Sequence, residues 1–200
     1  MVTARNTILG LKLPSDPRWV DLASVSIEYI LTDHAYCEQK AASNCISLIQ
    51  KYPQYTELVD ALSPVVTEEW GHFRMVLAEI RKRNLTLGKQ RKDEYVNALM
   101  KHIRRGGHPK DNFLDTLLVF ALIEARSCER FRLLSEGLQD DYLRKFYRKF
   151  MISEAGHYKL FLDLAKTYFE EKLVLIRWKE WLDIEKKVLA EMPVRGDRMH

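Results

Sequence analysis

The chain has 200 residues, 46% of them hydrophobic and 30% charged, with a net charge of +4. That much apolar content excludes a disordered chain and fits one domain with a sizeable core. The longest purely apolar run is the seven residues 117–123, far below the roughly 20 that a membrane span needs, so no membrane association is expected.

The opening stretch, "MVTARNTILGLKLPSDPRW", lacks a signal-peptide core and reads as an irregular lead-in ending at a turn. A first long helix is predicted from Trp19 or Asp21 to Lys51, with Ile27, Ile30, His34, Glu38, Ala41, Cys45 and Leu48 on its inward stripe at steps of three and four. "KYPQYTE" breaks that pattern. The second helical stretch carries Leu58, Leu62, Val65, Glu69, His72, Val76 and Ile80 inward. Pro64 falls inside it, so either the helix kinks or a new one starts with Ser63 as its N-cap.

Residues 84–111 read as a long crossover with a short helix near Asp93 to Arg104. Ten Lys or Arg lie between Arg81 and Lys110 against two acids, Asp93 and Glu94. Such a run is either a solvated face or a polyanion contact, with Arg81, Arg83, Lys101, Arg104 and Arg105 the candidates for nucleic acid. A third helix is expected from Asp111 to Ser135, with Leu117, Phe120, Glu124, Ser127, Phe131 and Leu134 inward. Gly137 is a natural stop. The fourth helix spans Asp140 to Tyr168, with Leu143, Phe146, Phe150, Glu154, His157, Phe161 and Leu164 inward. A last amphipathic segment, Glu171 to Glu191, carries Leu173, Ile176, Trp178, Trp181 and Leu182, and "PVRGDRMH" reads as a frayed tail. The architecture is all-α: two helical hairpins and a long crossover, the plan of a ferritin-like four-helix bundle with flanking helices, in one domain with its core at about 19–168.

Each hairpin contains the same parts. Glu38 is followed by Glu69 and His72, and Glu124 by Glu154 and His157. All six fall on apolar stripes, where lone carboxylates would be costly and mutually repulsive. Residues three apart face the same way on a helix, so each Glu-x-x-His offers an oxygen and a nitrogen to one metal ion. Carboxylate with imidazole suits iron, and also manganese, better than a thiolate-loving ion. The lone Glu precedes its motif by 31 residues in one hairpin and 30 in the other, which sets both at similar depth. Glu129 rivals Glu124, since "CE" occurs at Cys37-Glu38 and Cys128-Glu129; the depth argument favours Glu124. His34, one turn before Glu38, is either a supporting partner or an ordinary buried histidine. Trp70 either walls the cavity or simply packs, and Cys37 and Cys128 read as small core residues. The glycines of the two motifs, Gly71 and Gly156, are expected to leave room for a neighbouring helix or an incoming ligand. Three cysteines without a CxxC pair fit a reducing cytosol and hence a cytoplasmic protein.

The strings "LTDHAYCEQKAA", "EEWGHF", "IEARSCERFRLL" and "SEAGHYKLF" resemble the bacterial tRNA hydroxylases that act on 2-methylthio-isopentenyl-adenosine, the MiaE family. The resemblance covers about Pro14 to Glu191. It implies a non-haem di-iron monooxygenase using O2 and two electrons from an external donor, a redox protein or other reductant, with tRNA as substrate. It also implies Glu38, Glu69, His72, Glu124, Glu154 and His157 as the ligands of two irons. Another ferritin-like oxidase, ferroxidase or peroxidase, and a metal-stabilised RNA-binding module, are the alternatives the residues leave open.

Overall fold

In the computed structural model, which describes residues 8–104, 106 and 109–200, the described residues form helices and no strand. The helices are α1 (Trp19–Ser24), α2 (Ile27–Lys51), α3 (Thr56–Lys82), α4 (Glu94–Met100), α5 (Pro109–Gly137), α6 (Asp141–Tyr168) and α7 (Glu171–Glu191). Two long hairpins, α2–α3 and α5–α6, are separated in sequence by a segment carrying α4, the connectivity of the ferritin-like class. The chain divides into two compact units. One holds Trp19–Lys92 with Arg195–Met199; the other holds the lead-in through Arg18, Asp93–Val194 and His200.

In the first unit, α2 and α3 pack as an antiparallel pair, with the stacked rings of Tyr52 and Tyr55 at the hairpin tip. The stripe residues Ile30, Leu48, Leu58, Leu62, Val65, Val76 and Ile80 are buried. The expected single helix from Trp19 to Lys51 is instead two helices, α1 and α2. Ser24-Val25-Ser26 is a run of weak helix formers, and Ser24 Oγ donates to the Asp21 carbonyl at 2.7 Å, a local bond that competes with the ladder. The Ser26 carbonyl then accepts from the N–H groups of Tyr29 and Ile30, which restarts the helix. Pro64 does not begin a new helix: α3 runs through it, and its ring sits on the exposed face, where solvent can reach the carbonyl that the missing N–H leaves behind.

The tail is not frayed. Asp197 accepts from Arg91 Nη1 at 2.9 Å, the Arg198 carbonyl accepts from Trp19 Nε1 at 3.2 Å, and Met199 N donates to Asp33 Oδ2 at 2.8 Å. Gly196 is what permits this fit, because a Cβ there would lie 2.4 Å from the Leu22 backbone.

In the second unit, α5 is the central helix. Its residues are buried on nearly every side, as expected of a helix covered all round, and α4, α6 and α7 pack on it. Phe131, Tyr147, Phe146 and Phe150 form a ladder of rings along α5 and α6 with centroids 4.8–5.8 Å apart, the separation at which aromatic pairs gain beyond simple burial. Asp140 caps α6 by accepting from the N–H groups of Tyr142 and Leu143, and Asp93 caps α4 through Val96 N.

Two buried ion networks set how α7 lies on α5. Asp115 has no exposed surface and accepts from Arg177 Nε at 2.7 Å, Arg104 Nε at 3.0 Å and Trp181 Nε1 at 3.2 Å. Arg126, equally buried, donates to Glu129, to Glu185 on α7 and to the Leu13 carbonyl; Ser15 donates its N–H and hydroxyl to Glu129. With Glu185 fixed inward, the buried face of α7 is Val174, Trp178, Trp181, Leu182, Glu185 and Val188. Leu173 and Ile176, expected inside, are 44% and 50% exposed.

Three predictions test this packing. Burial pushes the Asp115 carboxyl up, but hydrogen bonds from Arg177 and Arg104 outweigh it and hold the group at about 2. A depressed carboxyl contributes stability above its unfolded value near 3.9 and loses it as pH falls towards its folded value. Asp115→Asn should therefore cost roughly 3 kcal/mol at neutral pH in urea melts, with the difference from wild type shrinking between about pH 4 and pH 2; a pH-independent difference would contradict the charged network. Gly196→Ala should destabilise by about 1–3 kcal/mol through its clash with Leu22. Gly156→Ala should stabilise by about 0.5–1 kcal/mol, because a Cβ at Gly156 meets nothing within 4 Å.

Candidate metal centre

In the first unit, α2 supplies His34 and Glu38 one turn apart, and α3 supplies Glu69 and His72. His34, Glu38 and Glu69 are buried, at 0%, 3% and 1% exposure. The ligand atoms of Glu38, Glu69 and His72 all lie within 4.8 Å of one another. His72 Nδ1 is 3.3 Å from Glu38 Oε2 and 3.4 Å from Glu69 Oε2. His34 Nε2 lies 2.7 Å from Glu38 Oε1. His34 thus meets one oxygen of Glu38 while His72 meets the other.

The second unit repeats the set. Glu124 on α5 and Glu154 and His157 on α6 are buried, and their ligand atoms again lie within 4.8 Å of one another. His157 Nδ1 is 3.3 Å from Glu154 Oε2, the same i, i+3 contact that His72 makes with Glu69. Glu129 does not join this group: it is spent on Arg126 and Ser15. Cys128 donates its thiol to the Met151 carbonyl. Burial, with the charges of Glu154 and Glu124 beside it, pushes that thiol up to about 12 in the metal-free protein.

Each half thus gathers two carboxylates and one imidazole in a buried place. Two buried anions side by side repel, and burial raises the cost of each charge. A cation of charge two or more relieves both terms, and the mix of hard oxygen and borderline nitrogen fits iron or manganese. The donor set in each half is therefore compatible with a bound metal ion. A Cβ at Gly71 or Gly156 meets nothing within 4 Å, so neither glycine makes room for a neighbouring helix, and of the two expectations only room for an incoming ligand fits this open space.

The basic segment separates into engaged and open side chains. Arg83 pairs with Glu79 at 2.7 Å, and Arg104 with Asp115 and Asp111. Arg91 is tied to Asp197 and to the Tyr29 carbonyl. Arg81 and Lys101 are exposed. Arg105 lies outside the described residues. Trp70 is exposed and stacks on Phe73, so it does not wall the donors. Helical spacing does not reveal the buried partners of Arg83, Arg104 and Arg126, although Asp115 stands out in the apolar string "FLDTLLVF". No helix among the described residues is long and apolar enough to cross a membrane.

Residues 2–200 match the family described as MiaE, tRNA-(MS[2]IO[6]A)-hydroxylase. A Pseudomonas putida protein named tRNA 2-(methylsulfanyl)-N(6)-isopentenyladenosine(37) hydroxylase is 38% identical over 190 residues, 95% of this chain and 91% of that protein. A Salmonella typhimurium protein of the same name is 27% identical, across 95% of this chain and 87% of that one. Among solved structures, a Synechococcus protein described as having aldehyde deformylating oxygenase activity superposes with a TM-score of 0.90 at 36% identity, covering 96% of each chain. The duplicated donor sets, the two-hairpin connectivity and a family match along essentially the whole chain agree: this protein belongs to the MiaE family of tRNA hydroxylases, with a ferritin-like fold.

Proposed function

We propose that this chain is a di-iron monooxygenase that hydroxylates the isopentenyl group of 2-methylthio-isopentenyl-adenosine beside the tRNA anticodon. One observation carries the reading: a chain matching the tRNA hydroxylase family from end to end buries two copies of one carboxylate–imidazole donor set. In this reading the chain acts as a single domain, with Glu38, Glu69, His72, Glu124, Glu154 and His157 as ligands. When bound, the irons supply what no side chain here has, the activation of O2, with two electrons from an external redox donor, against an unactivated C–H bond.

The chain's own residues bind, orient and dry the site. His34 holds Glu38 through the 2.7 Å contact, which fixes the carboxylate's direction, as partners of metal ligands commonly do. Phe120 and Phe161 meet edge-on at 5.5 Å, one turn from Glu124 and from His157, and present apolar surface beside these donors that keeps water away. The Cys128 thiol, turned to the Met151 carbonyl, adds no competing soft donor. The modified adenosine lies in a single-stranded loop, where a base can be splayed out towards a protein pocket. Such an enzyme works in the cytoplasm, where its tRNA is.

Nucleoside analysis tests the reading directly. tRNA from cells that make the isopentenylated base should contain the hydroxylated nucleoside only when this protein is present, and should lack it with Glu154→Ala. The structural likeness to a protein with aldehyde deformylating oxygenase activity favours a second reading, deformylation of an aldehyde. The iron-loaded, reduced protein should leave an aliphatic aldehyde unchanged; release of a product one carbon shorter, with no change in tRNA, would favour that second reading. His34→Ala should lower iron affinity about 10–100-fold with helicity preserved; unaltered affinity would remove His34 from the support of the site.

A further inference from the structure

The outer face of α3 carries an aligned set of side chains that neither the donors nor the ion networks use. Thr67, Trp70, Arg74 and Arg81 are spaced three, four and seven apart and so share one helical face, and all four are exposed. No carboxylate falls at these positions or at Ser63, one turn earlier on the same face. Arg74 and Arg81 have no ion-pair partner among the described residues, whereas Arg83, Arg91 and Arg104 each meet an acid.

Trp70 is the unusual member. Of the four tryptophans, Trp19, Trp178 and Trp181 are 1%, 8% and 0% exposed, while Trp70 is 47% exposed. Its ring is not loose. It stacks on Phe73 with centroids 4.8 Å apart and planes 22° from parallel, so one aromatic surface braces it while about half of the residue still meets solvent. A braced indole costs little further entropy to receive another flat ring. The guanidinium groups of Arg74, one turn on, and Arg81, three turns on, add charge for phosphates and planes for stacking. Aromatic rings set among basic side chains are what single-stranded nucleic acid requires: base stacking for affinity, and cations along the backbone.

We propose that this face of α3 receives unpaired nucleotides of the RNA substrate, with Trp70, braced by Phe73, stacking on a base and Arg74 and Arg81 contacting phosphates. The proposal rests on the tRNA reading above and assigns the residues that would bind the RNA. The aromatic platform together with the positive charge decides the occupant: the charge attracts any polyanion, but the flat ring braced by Phe73 finds its stacking partner in the unpaired base of an RNA loop.

The probe is an RNA hairpin with an unpaired anticodon loop, with a blunt RNA duplex as the control. Because Trp70 is the one exposed tryptophan, the hairpin should quench the solvent-exposed component of the intrinsic fluorescence, and Trp70→Phe should abolish that quenching. Trp70→Ala should weaken hairpin binding about tenfold, with Trp70→Phe restoring most of the loss. Arg74→Ala and Arg81→Ala should each flatten the log–log salt dependence by about 0.7. The melting temperature should stay at the wild-type value in all four. If wild-type protein binds the hairpin but Trp70→Ala binds within about twofold of it and the salt slopes are unchanged, the proposal is overturned while the tRNA reading stands. If those variants keep RNA affinity and lose only donor-driven turnover, the face serves the redox protein and the proposal is likewise overturned. If wild-type protein binds no RNA, both fall together.

Discussion

Buried carboxylates set beside other carboxylates and imidazoles are the constraint on which this protein depends. Glu38 and Glu69 share one buried place with His72, and Glu124 and Glu154 share another with His157. Packing alone does not favour this arrangement, since each buried negative charge raises the cost of its neighbour. The arrangement occurs twice, on hairpins of nearly equal length, with the i, i+3 contact repeated at 3.4 Å and 3.3 Å. A multivalent cation would relieve this repeated cost with the donors present.

The remaining buried charges follow the opposite rule, and the contrast separates structure from chemistry. Asp115 is met by Arg104 and Arg177, and Glu129 and Glu185 are met by Arg126. These clusters set each acid against a guanidinium and act as rivets: they fix the rotation of α7, the lead-in and the start of the α5 region. Breaking one leaves an unmatched buried charge, which is why their loss is costly. The same contrast separates Glu124 from Glu129. Five residues apart on one helix, one lies among acceptors and the other is gripped by a guanidinium.

Most of the framework was legible from apolar spacing. The stripes of α2, α3, α5 and α6 are buried as their three–four steps require, with the partial exceptions of Ile27, Ala41 and His72. Both hairpin tips fall where Pro, Gly and Asp interrupt the pattern. The failures have a common cause, namely that position was decided by contacts distant in sequence. The rotation of α7 is set by Glu185 reaching Arg126, which no local pattern reveals. The tail is held by Asp33, Arg91 and Trp19, all far from it in the chain. The basic run looked uniform as a string of letters, yet folding spends Arg83, Arg91 and Arg104 on acids. What remains open includes Arg74, which lies outside that run. The grouping of a lone Glu with a Glu-x-x-His in each hairpin was the most legible part, because a polar residue on an apolar stripe is conspicuous and a repeated one is more so.

The central claim is that these donors hold two metal ions per chain. Equilibrium dialysis of the anaerobic, metal-free protein against ferrous iron, read as iron bound per chain, tests it most directly. The account predicts saturation at two, falling when either His72 or His157 is replaced by alanine in a protein whose helicity is unchanged. Retention of no more than trace iron by the folded wild-type chain, or uptake indifferent to both substitutions, would contradict it.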